Sequence, residues 1–194
     1  MFRADKLEIL RMKLTTSIVL TLLAVSAGAF AQAPSEAVQK ALLAAPGRMK
    51  KEDITVIKWK PDFTYDTLQK GSSTLVCYDL SGYPGHPPFT VECTSKGNLD
   101  RVAQNLKIEA LGDKAKVQAA FDAAEKDGTR VKPEFGSVWY HFMGADQEHA
   151  RTHMTIAVPG ATTASLGLPD NGKNGDVWIM NAGTTTAHLM TPGE

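Results

Sequence analysis

Two stretches decide how this chain is read: SVWYHFM at residues 137–143 and THMTIAV at residues 152–158. Each is a short run of aromatic, β-branched and other apolar residues, and the segment between them, GADQEHAR, is polar. Runs of this length and composition bounded by turn residues predict strands. Side chains two apart in a strand share a face, so His141 and Met143 project together while Phe142 points the other way. Further on, DVWIM at 176–180 and AHLM at 187–190 read the same way, and His188 and Met190 share a face. DNGKNGD at 170–176 holds two Asn-Gly pairs and predicts a hairpin turn.

Upstream, the periodicity changes. Leu99, Val102, Ala103, Leu106 and Ala110 fall at helical spacing, and Val117, Ala120, Phe121 and Ala124 repeat it after Gly112-Asp113. We read one helix broken into two, the second ending at Gly128. Further strands are expected at 53–59, 73–78 and 89–93. Ser35 caps a short helix that Pro46-Gly47 closes. The expected fold is α+β: a mostly antiparallel sheet with helices packed on one side and one disulfide.

The disulfide follows from the cysteines. There are two, Cys77 and Cys93, flanking the Pro-rich stretch SGYPGHPP at 81–88. In an oxidising compartment such a pair reads as a bridge, here contributing about 3 kcal/mol through loop closure. Reactive thiols or metal thiolates are the alternative, but neither a CxxC pair nor a neighbouring histidine supports them.

The compartment is read from MKLTTSIVLTLLAVSAGAFAQA at 12–33. Lys13, the apolar run at 18–25 and Ala29-Phe30-Ala31 form the three parts of a secretory signal peptide. Residues 1–31 are expected to be removed, with Met12 as a candidate true start, leaving 32–194 as a single α+β domain that is periplasmic or extracellular. The apolar run is shorter than the ~20 residues of a membrane span, so no membrane insertion is expected after cleavage. Of the 21 basic and 21 acidic residues, the segment removes four and two, leaving a net charge of −2. That balance, without a Lys/Arg run, gives no reason to expect nucleic acid as a partner.

Four of the five histidines, His141, His149, His153 and His188, lie in the C-terminal part. If their strands are neighbours, His153, His188 and His141 could converge with the thioethers of Met143 and Met190. Imidazole with thioether suits copper, and imidazole alone suits zinc. The competing explanation is that these are hydrogen-bonded or core residues, since Met commonly fills core gaps. His149 and His153 lack the Glu of an HExxH motif. No G-x-S-x-G elbow or S-x-x-K motif marks a nucleophile. Asp79, in the strand leading into the Pro-rich loop, and Asp146 with Glu148, beside His149, are the carboxylates that stand out; a solvated loop charge is the competing explanation for each. Asp170, Asn174 and Asp176 offer oxygen ligands but not in the order of a calcium loop. In the Pro-rich loop, Tyr83 and His86 are candidate ligand-binding residues, pre-organised by the bridge.

Taken in order, Ile57-Lys58-Trp59, Leu75-Val76-Cys77, the Pro-rich loop, Cys93, Thr152-His153-Met154-Thr155-Ile156 and the run from Ile179 to Pro192 resemble a group of exported bacterial proteins of unknown function. Their pattern ends in Met-Trp-Ala-Gly-Thr-Pro-Tyr-Ala-His-Leu-Met-Ile-Pro. Here Asn181 stands in place of the Trp, Thr185-Thr186 in place of Pro-Tyr, and Thr152 in place of a Pro before His153. The resemblance implies export, the disulfide and one domain, and raises His153 and His188 over the other histidines.

The function expected is therefore a binding domain with a His/Met metal site or a small-ligand site. The rivals are a secreted hydrolase with a histidine general base beside a carboxylate such as Asp146, and an envelope interaction module using the Pro-rich loop.

Overall fold

A computed structural model describes residues 35–191. The expected signal peptide, the Met12 start and the cleavage point lie outside them. The described residues belong to one compact unit.

Eight strands make one sheet: β1 Thr55–Trp59, β2 Tyr65–Gln69, β3 Leu75–Asp79, β4 Phe89–Ser95, β5 Val138–Gly144, β6 Arg151–Ala157, β7 Trp178–Met180 and β8 His188–Met190. Their order is β2-β1-β3-β4-β5-β6-β8-β7. Among the described residues, only β1 and β3 pair in parallel. The α+β expectation holds, with the disulfide in place: Cys77 and Cys93 are direct cross-strand partners on β3 and β4, and their sulfurs are bonded.

Two apolar layers cover the sheet. Helix α2, Leu99–Glu109, lays Leu99, Val102 and Leu106 onto Ile57, Trp59, Val76, Tyr78 and Leu80. Its apolar residues recur at one helical face, which is why it seats there. Helix α3, Lys114–Asp127, leans on α2 and ends at Gly128, whose φ of 76° is the left-handed closure read from the sequence. The short helix α1, Glu36–Ala41, seats on the opposite face, with Val38, Ala41 and Leu42 against Val56, Cys77, Val91 and Cys93. Thus the two long helices lie on one side as expected, and the short one takes the other. Among the described residues no helix is long and apolar enough to cross a membrane.

Three elements differ from the reading. Strand β2 pairs with β1 but is exposed along most of its length, so YDTLQ carries no apolar alternation to reveal it. DNGKNGD does not join two paired strands: it leads into β7 from a one-turn helix α4, Thr163–Leu166, and β7 pairs with β8. Helix α4 is held by a reciprocal cap between Thr162 and Ser165.

The parallel pairing of β1 and β3 demands a tight return from β2. Gly71 lies in that return, where a Cβ would sit 2.2 Å from the carbonyl oxygen of Asp53. The Ser73 amide donates to the same oxygen at 2.8 Å.

Candidate functional site

Register builds the site. Ile57, Tyr78, Glu92, His141 and His153 are successive cross-strand partners on β1, β3, β4, β5 and β6, one row across the sheet on the α2 face. The row starts apolar at the centre of the core and ends in two imidazoles. The Tyr78 hydroxyl donates to Glu92 Oε2 at 3.3 Å, and Glu92 Oε1 lies 3.0 Å from His141 Nδ1. A carboxylate only accepts, so His141 Nδ1 carries the hydrogen and Nε2 remains the available nitrogen. The rings of His141 and His153 stack with centroids 5.8 Å apart.

Glu92 is 7% exposed. Burial alone would raise its carboxyl, but the charge and hydrogen bond of His141, His86 and the Tyr78 hydroxyl outweigh it and hold it below the ordinary value. Burial, then the Glu92 charge, keeps Tyr78 protonated far above the usual phenol range. His153 is pushed below the ordinary imidazole value by burial, then by the charges of His141 and His188.

The five residues expected to converge occupy four rows. His141 and His153 share one row, and Met143 lies opposite Arg151 in the row to one side. To the other side, Met190 lies opposite Thr155 and His188 opposite Ala157. His188 therefore sits four residues along from the His153 row, roughly 13 Å in the strand direction. Alternation does put all five on one face, as expected. Among the described residues, no group of three or more His, Cys, Asp or Glu is placed to hold a metal ion.

What the row geometry leaves between His141 and His188 is a cleft of about 230 Å³. Trp139, Thr155 and Ala157 form its floor, Arg101 and Asn105 of α2 with Pro133 its roof, and Thr186 one wall. Arg101 is 4% exposed. Its guanidinium donates to Thr186 Oγ1 at 2.7 Å, to Thr185 Oγ1 at 3.3 Å and to the Val131 carbonyl. All three acceptors are neutral, and among the described residues Arg101 makes no ion pair. Burial, with the neighbouring charge of Arg130, lowers it to about 10, and it stays cationic at neutral pH. Glu125, whose charge partly offsets these effects, is not bonded to Arg101 and takes the Thr185 amide and hydroxyl, both at 2.6 Å. His188 Nδ1 lies 2.7 Å from the Thr186 carbonyl and so donates to it, again leaving Nε2 available.

The remaining candidates are engaged elsewhere. Tyr83 donates its hydroxyl to the Trp59 carbonyl at 3.1 Å and packs on the α2-side core. His86 Nε2 lies 3.2 Å from Glu109 Oε2. These ties turn the Pro-rich loop inward, onto β1 through Tyr83 and onto α2 through His86. Asp79 pairs with Lys40 at 2.7 Å, joining the end of β3 to α1. Asp146 and His149 contact each other at 2.8 Å in an exposed turn beside exposed Glu148, with no enclosing walls. Asp170, Asn174 and Asp176 are exposed.

Sequence reasoning missed Glu92, Arg101, Asn105, Trp139 and Thr186. Glu92 did carry a signal, a lone carboxylate between Val91 and Cys93 in a short apolar strand. Arg101 carried none, because a basic residue beside an apolar helix stripe is ordinarily solvated. No family model matches the chain, and no curated protein or solved structure matches it.

Proposed function

We propose that this chain is an exported binding domain whose small-ligand site is the cleft between α2 and the C-terminal half of the sheet. One observation carries the reading: a buried Arg101 guanidinium, hydrogen-bonded to neutral oxygens alone, borders an open cleft. Glu125 compensates this charge only at one remove, through the Thr185 hydroxyl. A buried cation with no carboxylate bonded to it directly costs stability, and such costs are characteristic of places where a ligand completes the pairing. Two imidazoles with their Nδ1 hydrogens engaged and Nε2 available add directional groups to a largely apolar floor, the usual make-up of a ligand pocket.

Export is supported by the signal-like segment and by the buried Cys77–Cys93 bridge, since such bridges persist in oxidising compartments. The likeness to exported bacterial proteins fits the same reading. A small ligand is favoured over copper or zinc. The His and Met residues are spread over four rows, and a guanidinium in the cleft repels a cation.

The test is a fragment screen by NMR on the 32–194 chain. Shifts confined to Trp139, Thr186 and His188 support the reading; shifts that map to the Pro-rich loop or to no cleft residue reject it.

A second reading has its own observation. The His141–Glu92 pair is oriented like a general base and its carboxylate partner, as a hydrolase would need. This reading requires that a hydrolytic activity found with ester substrates vanish in His141→Gln and survive in His149→Gln.

A further inference from the structure

Resting on the binding reading above, a further question is what kind of ligand the cleft takes. Its lining residues include no Asp or Glu. Glu92 lies behind His141 as its Nδ1 acceptor, and Glu125 is occupied by Thr185. Among the described residues, the one formal charge lining the cleft is therefore the Arg101 guanidinium. Of its five hydrogens, the three bonds to Val131, Thr185 and Thr186 use Nη1 twice and Nη2 once. Among the described residues Nε–H and one Nη2 hydrogen are bonded to no protein acceptor, so the guanidinium keeps donors with which to meet a carboxylate. Thr186 sits at the same place with a hydroxyl whose oxygen accepts from Arg101 and whose hydrogen is free to donate outward.

The rest of the cleft is not anion-like. Trp139, Pro133 and Ala157 give it an apolar body. Its volume of about 230 Å³ exceeds the roughly 150 Å³ of a cavity that holds benzene. The difference leaves space for one small polar group in addition to a ring.

We propose that the cleft binds a small organic carboxylate, its headgroup on Arg101 and the Thr186 hydroxyl and its flat apolar body against Trp139 and Ala157. The imidazole of His188, fixed by Thr186, borders the headgroup, and that of His141 borders the far end of the body.

A charge-matched series tests this directly: benzoate and phenylacetate, their amides, and the corresponding amines. Each is titrated to millimolar concentration into the 32–194 protein, reading the Trp139 indole and the amides of Thr186, Ala187 and His188 by NMR. The expected result is cleft shifts with the carboxylates, at least tenfold weaker binding of the amides, and none with the amines. Arg101→Gln should weaken the carboxylates at least tenfold and leave the amides unchanged. Should that variant fail to fold, Thr186→Val removes one donor at nearly constant volume and should weaken the carboxylates several-fold. Amides or amines that bind the cleft as well as the carboxylates overturn the carboxylate proposal while the binding reading stands. If no member of the series perturbs the cleft, the proposal falls. The binding reading falls with it only if the broader fragment screen is also silent there.

Discussion

His141 and His153 are directly opposite on β5 and β6, their rings stacked 5.8 Å apart and inclined by 29°. Behind His141 stands Glu92, and nothing comparable is bonded to His153 among the described residues. Two chemically identical side chains in contact are thereby made unequal: one is tied to a carboxylate, the other loses its proton more easily because of burial and the charges of His141 and His188.

That inequality has a sign. The folded pKa of His153 lies below the ordinary 6.5, so its contribution favours the folded state above that value and is lost as pH falls through the folded pKa. Replacing His141 by Gln removes one of the repelling charges. The His153 titration, followed by NMR, should move upward in His141→Gln; an unchanged titration would show that His141 contributes nothing to it.

Glu92 shifts in the direction usual for a carboxylate. Its carboxyl is held below the ordinary 4.5, so its stabilisation is present above 4.5 and disappears as pH falls through the folded pKa. Glu92→Gln should cost about 1–3 kcal/mol at neutral pH, through loss of charge-assisted bonds to His141 and Tyr78. Urea unfolding at pH 7 and pH 3 should show the difference from wild type shrinking on acidification. A constant difference would contradict the ionic account.

At the Pro-rich loop the sign is opposite. Burial works against a proton on His86, but the Glu109 hydrogen bond and the charges of Glu92 and Glu109 outweigh it and raise its pKa above 6.5. Stabilisation from this contact is full below 6.5 and fades as pH rises through the folded pKa. In His86→Gln that dependence should vanish. Hydrogen exchange of loop amides at pH 6 and pH 8, expressed as protection relative to the intrinsic base-catalysed rate at each pH, would read it, with protection falling at the higher pH in wild type alone.

Gly71→Ala should be costly even though residue 71 lies in a connection. The new Cβ would lie 2.2 Å from the Asp53 carbonyl oxygen, and the return from β2 to β3 must widen to admit it. We expect a loss of about 2–3 kcal/mol in chemical denaturation. An Ala at Gly47, which meets nothing within 4 Å, is the control and should change little.

The bridge gives the largest single effect. Cys77 and Cys93 are both fully buried, so Cys77→Ala/Cys93→Ala should lose about 2–5 kcal/mol. Reduction of the wild type under denaturing conditions, followed by refolding with the thiols kept reduced, should reproduce most of that loss.

Much of the architecture was legible because it depends on local pattern. The break at Gly112-Asp113, the closure at Gly128 and the facing of His141 with Met143 are properties of a few adjacent residues. Strand β2 was not legible, because YDTLQ pairs through its backbone while its side chains meet water and bear no apolar alternation. DNGKNGD was legible as a turn but not as to what it joins, since turn chemistry does not specify which strand pairs with which.

By itself the sequence determined which residues form elements, which side of each strand its histidines and methionines take, and that two cysteines are available to close the Pro-rich loop. These follow from backbone geometry with periods of 2.0 and 3.6 residues. Only the tertiary structure decided that His188 falls two rows from His153, that Glu92 backs His141 at the cleft, and that Arg101 reaches Thr186 across 85 positions of chain. Register and helix placement set those relationships, and they arise from the packing of the whole sheet against α2, which no short stretch of residues contains.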